Sequence, residues 1–224
     1  MRCSIRLAYL FLYNLLQFCG HTWIFANMTA RFFSFGGGAL ADTFYSVGVV
    51  VSLCQLMSVL ELFHIADGIE KAGLLPRFVQ VMERNFVLFV VIMSQEEVQS
   101  KSIVCIQFYL WNTLDLLRYP YGLLTLFSTP SFNMLWVRHT LWIPLYPLSV
   151  LAEGLTIYQA LPYFESLKTF SFQLGLPVSL YIHFPYVLLG YLPVLAFGAC
   201  FTMWQLLGER KQQLENWNKK TKRK

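Results

Sequence analysis

Long apolar runs separated by short polar breaks set the pattern of this chain, and six of them can be placed. They cover about 8–28, 44–65, 79–95, 103–127, 135–160 and 180–207. Each approaches the roughly 20 residues that an α-helix needs to cross a bilayer. The breaks carry the residues that stop helices. Gly36-Gly37-Gly38 follows the first run, Gly68 through Pro76 the second, Glu96-Glu97 the third, Thr129-Pro130 the fourth and Pro162 through Pro177 the fifth. Short amphipathic stretches near 69–78 and 163–172 have the make-up of interfacial segments. The pattern predicts an all-α fold: one polytopic membrane domain over 1–224, a bundle of six transmembrane helices that ends in a basic tail at about 208–224. No internal repeat occurs, which speaks against the paired, broken helices of a transporter built from two related halves.

Composition strengthens this picture. The 224 residues are 56% hydrophobic and 13% charged, where soluble domains carry about 25% charged residues. The net charge of +5 gathers at the C-terminus, so there is no basic face of the kind that reads nucleic acid. Lys and Arg favour the cytosolic side of a membrane protein. An even number of crossings puts both termini on one side. With that side cytosolic, it holds Arg2, Arg6, Lys71, Arg77, Arg138 and seven basic residues of the tail, against Arg31, Lys101 and Lys168 opposite. Both termini are therefore predicted to be cytosolic. Lys220 and Lys222 resemble a dilysine retrieval signal, which points to a multi-pass protein of the endoplasmic reticulum membrane. The five Cys are scattered, with no Cys/His spacing for a metal, and neither a metal nor a cofactor is expected.

The candidate chemistry lies in the polar groups inside the runs: Glu61, Glu83, Arg84, Asp115, Arg118 and Glu153. An ionisable group there costs roughly 2.5–3.5 kcal/mol on insertion scales and is retained where something uses it. Glu83 and Arg84 fall near a run end. His64 follows Glu61 by one turn on the same face, and Asp115 and Arg118 are spaced to pair along one helix. Glu153 has no cation within a turn. Tyr146 precedes it by seven residues, close to two turns, so both side chains share a face about 10 Å apart. A carboxyl group out of water favours its neutral form, which suits a general acid or a proton shuttle. Sequence motifs for phosphatase, nucleotide-binding, serine-hydrolase and zinc-protease chemistry are absent. What remains is acid–base work without metal.

Several motifs occur in order over nearly the whole chain: Tyr9-Leu10-Phe11-Leu12-Tyr13-Asn14, Leu60-Glu61-Leu62-Phe63-His64 with Gly68-Ile69, Leu117-Arg118-Tyr119, and Leu145-Tyr146-Pro147 with Glu153. In these the chain resembles the very-long-chain (3R)-3-hydroxyacyl-CoA dehydratases, once called the protein-tyrosine-phosphatase-like A family. Gln17-Phe18-Cys19-Gly20-His21 and Ser94-Gln95-Glu96-Glu97-Val98 resemble its short fourth vertebrate branch. The resemblance implies a six-span enzyme of the endoplasmic reticulum. It would dehydrate a very-long-chain (3R)-3-hydroxyacyl-CoA to the trans-2-enoyl-CoA, the third step of the fatty-acid elongation cycle. Elongases and reductases of that cycle would be its partners and the lipid bilayer its medium. It implies a catalytic pair of Tyr146 and Glu153, with Arg138, Arg118, Glu61 and Arg84 at family polar positions and His64 beside them. One departure stands out. The family pattern Leu-Tyr-Pro-x-Gly-Val-x-Gly-Glu has two glycines where this chain has Ser149 and Ala152. Their side chains narrow the space beside the substrate, which leaves a second expectation: a weakly active member that serves as a scaffold for elongation enzymes.

Overall fold

The computed structural model describes residues 5–69, 73–127, 131–176 and 178–221. Most of each of the six apolar runs lies in helices. In chain order these are α1 (Ile5–Phe35), α2 (Gly38–Ala41), α3 (Thr43–Ser58), α4 (Leu60–Ala66), α5 (Leu74–Asn85), α6 (Glu96–Gln99), α7 (Ser102–Phe127), α8 (Phe132–Leu167) and α9 (Phe184–Thr221). The segment Phe86–Ile92 continues α5 as a π-helix. Thr43–Ala66, Phe132–Leu167 and Phe184–Trp217 are long and apolar enough to cross a membrane.

Local chemistry explains the boundaries. Gly36 takes a left-handed φ of 54° just after α1, a conformation that glycine adopts without steric cost. Gly68, at φ 67°, does the same after α4. Ser131 caps α8 by accepting a hydrogen bond from the Met134 backbone N–H at 3.4 Å. Three boundaries differ from the sequence pattern. The amphipathic stretch near 69–78 is not separate, because α5 starts at Leu74 and runs on through Ile92. Pro162 does not end α8, which continues to Leu167 and stops where Lys168 turns left-handed at φ 53°. The expected loop then holds an antiparallel hairpin, β1 (Phe172–Leu176) with β2 (Val178–Ile182), so the sixth helix begins at Phe184 rather than near 180. From Phe184, α9 continues into the basic tail as far as Thr221. Lys222 and the Thr129-Pro130 break lie outside the described residues.

The long helices close a ring. α1 packs on α3 and α7, α7 on α8, α8 on α9, α9 on α5, and α5 on α3 and α4. The π segment meets α8. Polar residues point inward: Gln17, Gln55, Glu61, Gln107, Asp115, Glu153 and Thr202 are all buried. Large apolar residues such as Val49, Phe63, Leu151, Phe197 and Trp204 point outward, Phe197 and Trp204 with about three-quarters of their surface open at 76% and 75%. A water-soluble fold does the reverse. An exterior of this kind matches lipid, which offers backbone and polar groups no hydrogen bonds.

Candidate active site

Helix α8 carries the phenol and the carboxyl. Tyr146 and Glu153 are buried, at 3% and 2% exposure, as their spacing on one face predicts. Glu153 is unevenly held. Its Oε1 accepts a hydrogen bond from the Trp111 indole N–H at 2.7 Å and a longer one from the Ser149 hydroxyl at 3.4 Å. Its Oε2 has no partner among the described residues. The Tyr146 hydroxyl approaches Thr202 and Glu83 without a hydrogen bond of ordinary geometry. Its ring lies parallel to that of Trp142, one turn earlier, with centroids 6.1 Å apart. Ser149 does more than narrow the space. Its hydroxyl, one turn before Glu153, reaches the carboxyl itself.

Two ion-pair networks hold the surrounding helices, and they are wired differently from the sequence expectation. Asp115 does not pair with Arg118. Asp115 Oδ2 takes Arg84 at 2.8 Å and His21 Nε2 at 3.7 Å, while Arg118 reaches Glu61 Oε2 at 2.6 Å. The two side chains, although close along α7, are each claimed by a different neighbour. Glu61 is a hub. It also accepts from Arg77 at 2.7 Å, Tyr119 at 2.7 Å and Tyr13 at 3.1 Å. With its acceptor sites filled, it serves as a structural anchor. His64 does not join it directly: its Nε2 meets the Tyr9 hydroxyl at 2.8 Å. Arg84 and Glu83 are buried, at 4% and 6%. Arg84 links the networks to the site, because its guanidinium lies 5.8 Å from the ring centre of Trp111, the donor to Glu153.

Arg138 stands apart from the carboxyl. It lies over the Tyr121 ring at 4.1 Å and lines a cavity of about 80 Å³ with Arg77, Gln80, Arg118, Trp142 and Glu209. Trp142 is shared between this basic cavity and the Tyr146 ring. Along α8 the arginine-lined cavity, here termed the mouth, is followed by Trp142 and then by the phenol–carboxyl pair.

Sequence reasoning missed Trp111, Trp142 and Thr202, because an aromatic residue or a lone threonine in an apolar run reads as core. Glu83 carried a signal, a carboxyl inside a run, but its closeness to the run's end placed it at the interface. Fold and site together define a helical bundle with an apolar exterior and a buried phenol–carboxyl centre. The chain belongs to the family described as "Protein tyrosine phosphatase-like protein, PTPLA", whose model matches residues 55–216. Its relatives include "Very-long-chain (3R)-3-hydroxyacyl-CoA dehydratase 4" of Homo sapiens, 55% identical over 92% of this chain and 88% of the relative. The Mus musculus protein of the same name is 54% identical over 96% and 91%. A "Very-long-chain (3R)-3-hydroxyacyl-CoA dehydratase" of Xenopus laevis is 56% identical over 92% and 95%. No solved structure matches the chain.

Proposed function

We propose that this chain dehydrates very-long-chain (3R)-3-hydroxyacyl-CoA to trans-2-enoyl-CoA, with Glu153 as general acid and Tyr146 as the group that takes the C2 proton. The observation that carries the roles is the uneven hydrogen bonding of Glu153. One oxygen accepts from Trp111 and Ser149, as the carbonyl oxygen of a neutral carboxyl does, which leaves Oε2 to hold the proton. Hydroxide is a poor leaving group, and a proton given to the C3 hydroxyl lets it depart as water. A neutral phenol is a weak base. Tyr146 therefore relays the C2 proton rather than keeping it. The double bond forms between C2 and C3 as the C3–O bond breaks; Glu153 gives one proton to the departing water, and the proton relayed from C2 restores it, so the enzyme ends with the protons it began with. Arg138, Arg77 and Arg118 at the mouth suit the CoA phosphates, and the acyl chain lies among the apolar helices.

In the membrane, the six long helical rods each cross once, with both termini cytosolic. The distribution of Lys and Arg supports this orientation, and it puts the Arg138 mouth on the cytosolic face where acyl-CoA is found. The protein resides in the endoplasmic reticulum beside the elongases and reductases whose product it consumes and whose substrate it supplies.

The test is turnover of a long-chain (3R)-3-hydroxyacyl-CoA by purified protein, beside Glu153→Gln and Tyr146→Phe. Enoyl-CoA from the native chain alone is the expected result. Equal turnover by both variants removes the catalytic pair. No product from any of them, with folding verified and several chain lengths tried, turns the reading to the scaffold.

A further inference from the structure

Two buried tryptophans face the interior of the bundle near the reaction centre, and they differ in one respect. The Trp111 N–H is taken by Glu153 at 2.7 Å. The Trp142 N–H has no acceptor among the described residues, although the side chain is only 8% exposed. An indole nitrogen donates and cannot accept. A buried donor without an acceptor is costly and is rarely left so without a use. Its surroundings narrow what that use is. The Trp142 ring stacks on that of Tyr146 at an angle of 14°, and the same residue lines the cavity that holds Arg77, Arg118 and Arg138. Along α8 the indole lies between Arg138 and Tyr146.

Thr202 repeats the theme from the facing helix. Thr22, Thr43, Thr113 and Thr156 each donate to the carbonyl four residues earlier, at 2.7–2.9 Å. Thr202 sits within α9 at 0% exposure and makes no hydrogen bond of this kind, although its own helix supplies the same acceptor. Its hydroxyl points to Tyr146 instead. Four buried polar atoms without partners thus mark the site: Trp142 Nε1, the Tyr146 hydroxyl, Glu153 Oε2 and Thr202 Oγ1. The proton transfers use the second and third. The first remains a donor beside the Tyr146 ring.

We infer that the Trp142 indole N–H donates a hydrogen bond to the thioester carbonyl oxygen of the bound acyl-CoA and holds the negative charge that gathers there. The inference rests on the dehydratase reading. As the C2–H bond breaks, its electron pair forms a C1–C2 double bond and the charge moves to the thioester oxygen. The pair then returns, C2=C3 forms and the C3 oxygen leaves as water. A donor aimed at that oxygen lowers the barrier because it meets charge that develops only on the way. A tryptophan suits the task. It cannot give up its proton at neutral pH and so does not compete with Tyr146 or Glu153. Trp142 is thereby a catalytic residue.

The experiment compares Trp142→Phe with the native chain and with Trp136→Phe, a more exposed tryptophan of the same helix (44%). Phenylalanine keeps an aromatic ring against Tyr146 and removes the N–H together with the five-membered ring that carries it. The expected loss is in kcat, on the order of 10²–10³-fold, with KM within about threefold as for an interaction made mainly in the transition state. Exchange of the C2 hydrogen with solvent deuterium falls in parallel. The native chain also lowers the thioester C=O stretching frequency of bound trans-2-enoyl-CoA, and Trp142→Phe restores it towards the free value. A KM rise with unchanged kcat assigns the indole to binding alone and overturns the inference, as does an unchanged kcat with the same stretching frequency in both proteins. If Trp142→Phe does not fold, the native spectrum decides: an unshifted stretch overturns the inference and a lowered one supports it. A native chain that neither dehydrates nor binds the enoyl-CoA fails the underlying reading instead.

Discussion

Ser149 stands where the family pattern carries glycine, and its hydroxyl lies 3.4 Å from the same Glu153 oxygen that Trp111 holds at 2.7 Å. A net hydrogen bond contributes about 0.5–1.5 kcal/mol, so Ser149→Ala should lower kcat by no more than about tenfold. Trp111→Phe, which removes the shorter bond, should cost more. Steady-state turnover of the two variants tests the ranking, and a gain in kcat for Ser149→Gly would mean that the hydroxyl obstructs the substrate instead. At this scale the sequence was legible where a residue clashed with its surroundings. Glu153 stood out because a carboxyl in an apolar run is expensive, and Tyr146 because it shares its face. Trp111 and Trp142 gave no such signal. Their rings belong in an apolar run, and only the fold reveals which indole N–H has an acceptor.

Among the elements, pairing across helices prevailed over pairing along them. Asp115 and Arg118 are neighbours on α7, yet Arg84 from α5 and Glu61 from α4 claim them. The sequence reports spacing within a helix and is silent on which helices meet, so the charges were legible and their partners were not. Glu61 joins α4 to α1, α5 and α7 through Tyr13, Arg77, Arg118 and Tyr119. Glu61→Ala leaves the buried Arg77 and the half-buried Arg118 without this carboxylate and should destabilise the bundle by about 3–5 kcal/mol. Thermal unfolding in detergent reads this as a clear fall in Tm, and an unchanged Tm would show that the network contributes no net stability. Contact between α9 and α5 also bears on the site. A methyl group on Gly198 would come within 2.8 Å of Glu83 Oε1, whereas one on Gly190 meets nothing within 4 Å. Gly198→Ala should therefore displace the Glu83 carboxyl and reduce turnover, overpacking of this kind costing about 1–3 kcal/mol. Gly190→Ala should behave as the native protein. Equal activities would separate Glu83 from the chemistry.

For the molecule as a whole, the helical character and the approximate placement of the six apolar runs were readable, because a long apolar run free of breakers satisfies its backbone groups by forming a helix. The hairpin was not, since β1 lies in the break after α8 and β2 runs into the start of the sixth apolar run, where nothing in the hydropathy marks a strand. Orientation gives a direct prediction. In sealed microsomes, a cysteine at Lys211 should react with a membrane-impermeant maleimide and one at Lys101 should not; reaction at both would remove the proposed topology. One arrangement has a wider consequence. Arg138, Trp142, Tyr146, Ser149 and Glu153 follow one another at three- and four-residue steps along a single helix. A residue inserted between Pro147 and Ala152 advances everything beyond it by about 1.5 Å and turns it by about 100°. Glu153 would then face away from Tyr146 in a chain of nearly the same composition and hydropathy. Natural variants of this stretch should accordingly differ by replacement and almost never by a change in length, so a short insertion there diagnoses loss of activity better than a low percentage identity does.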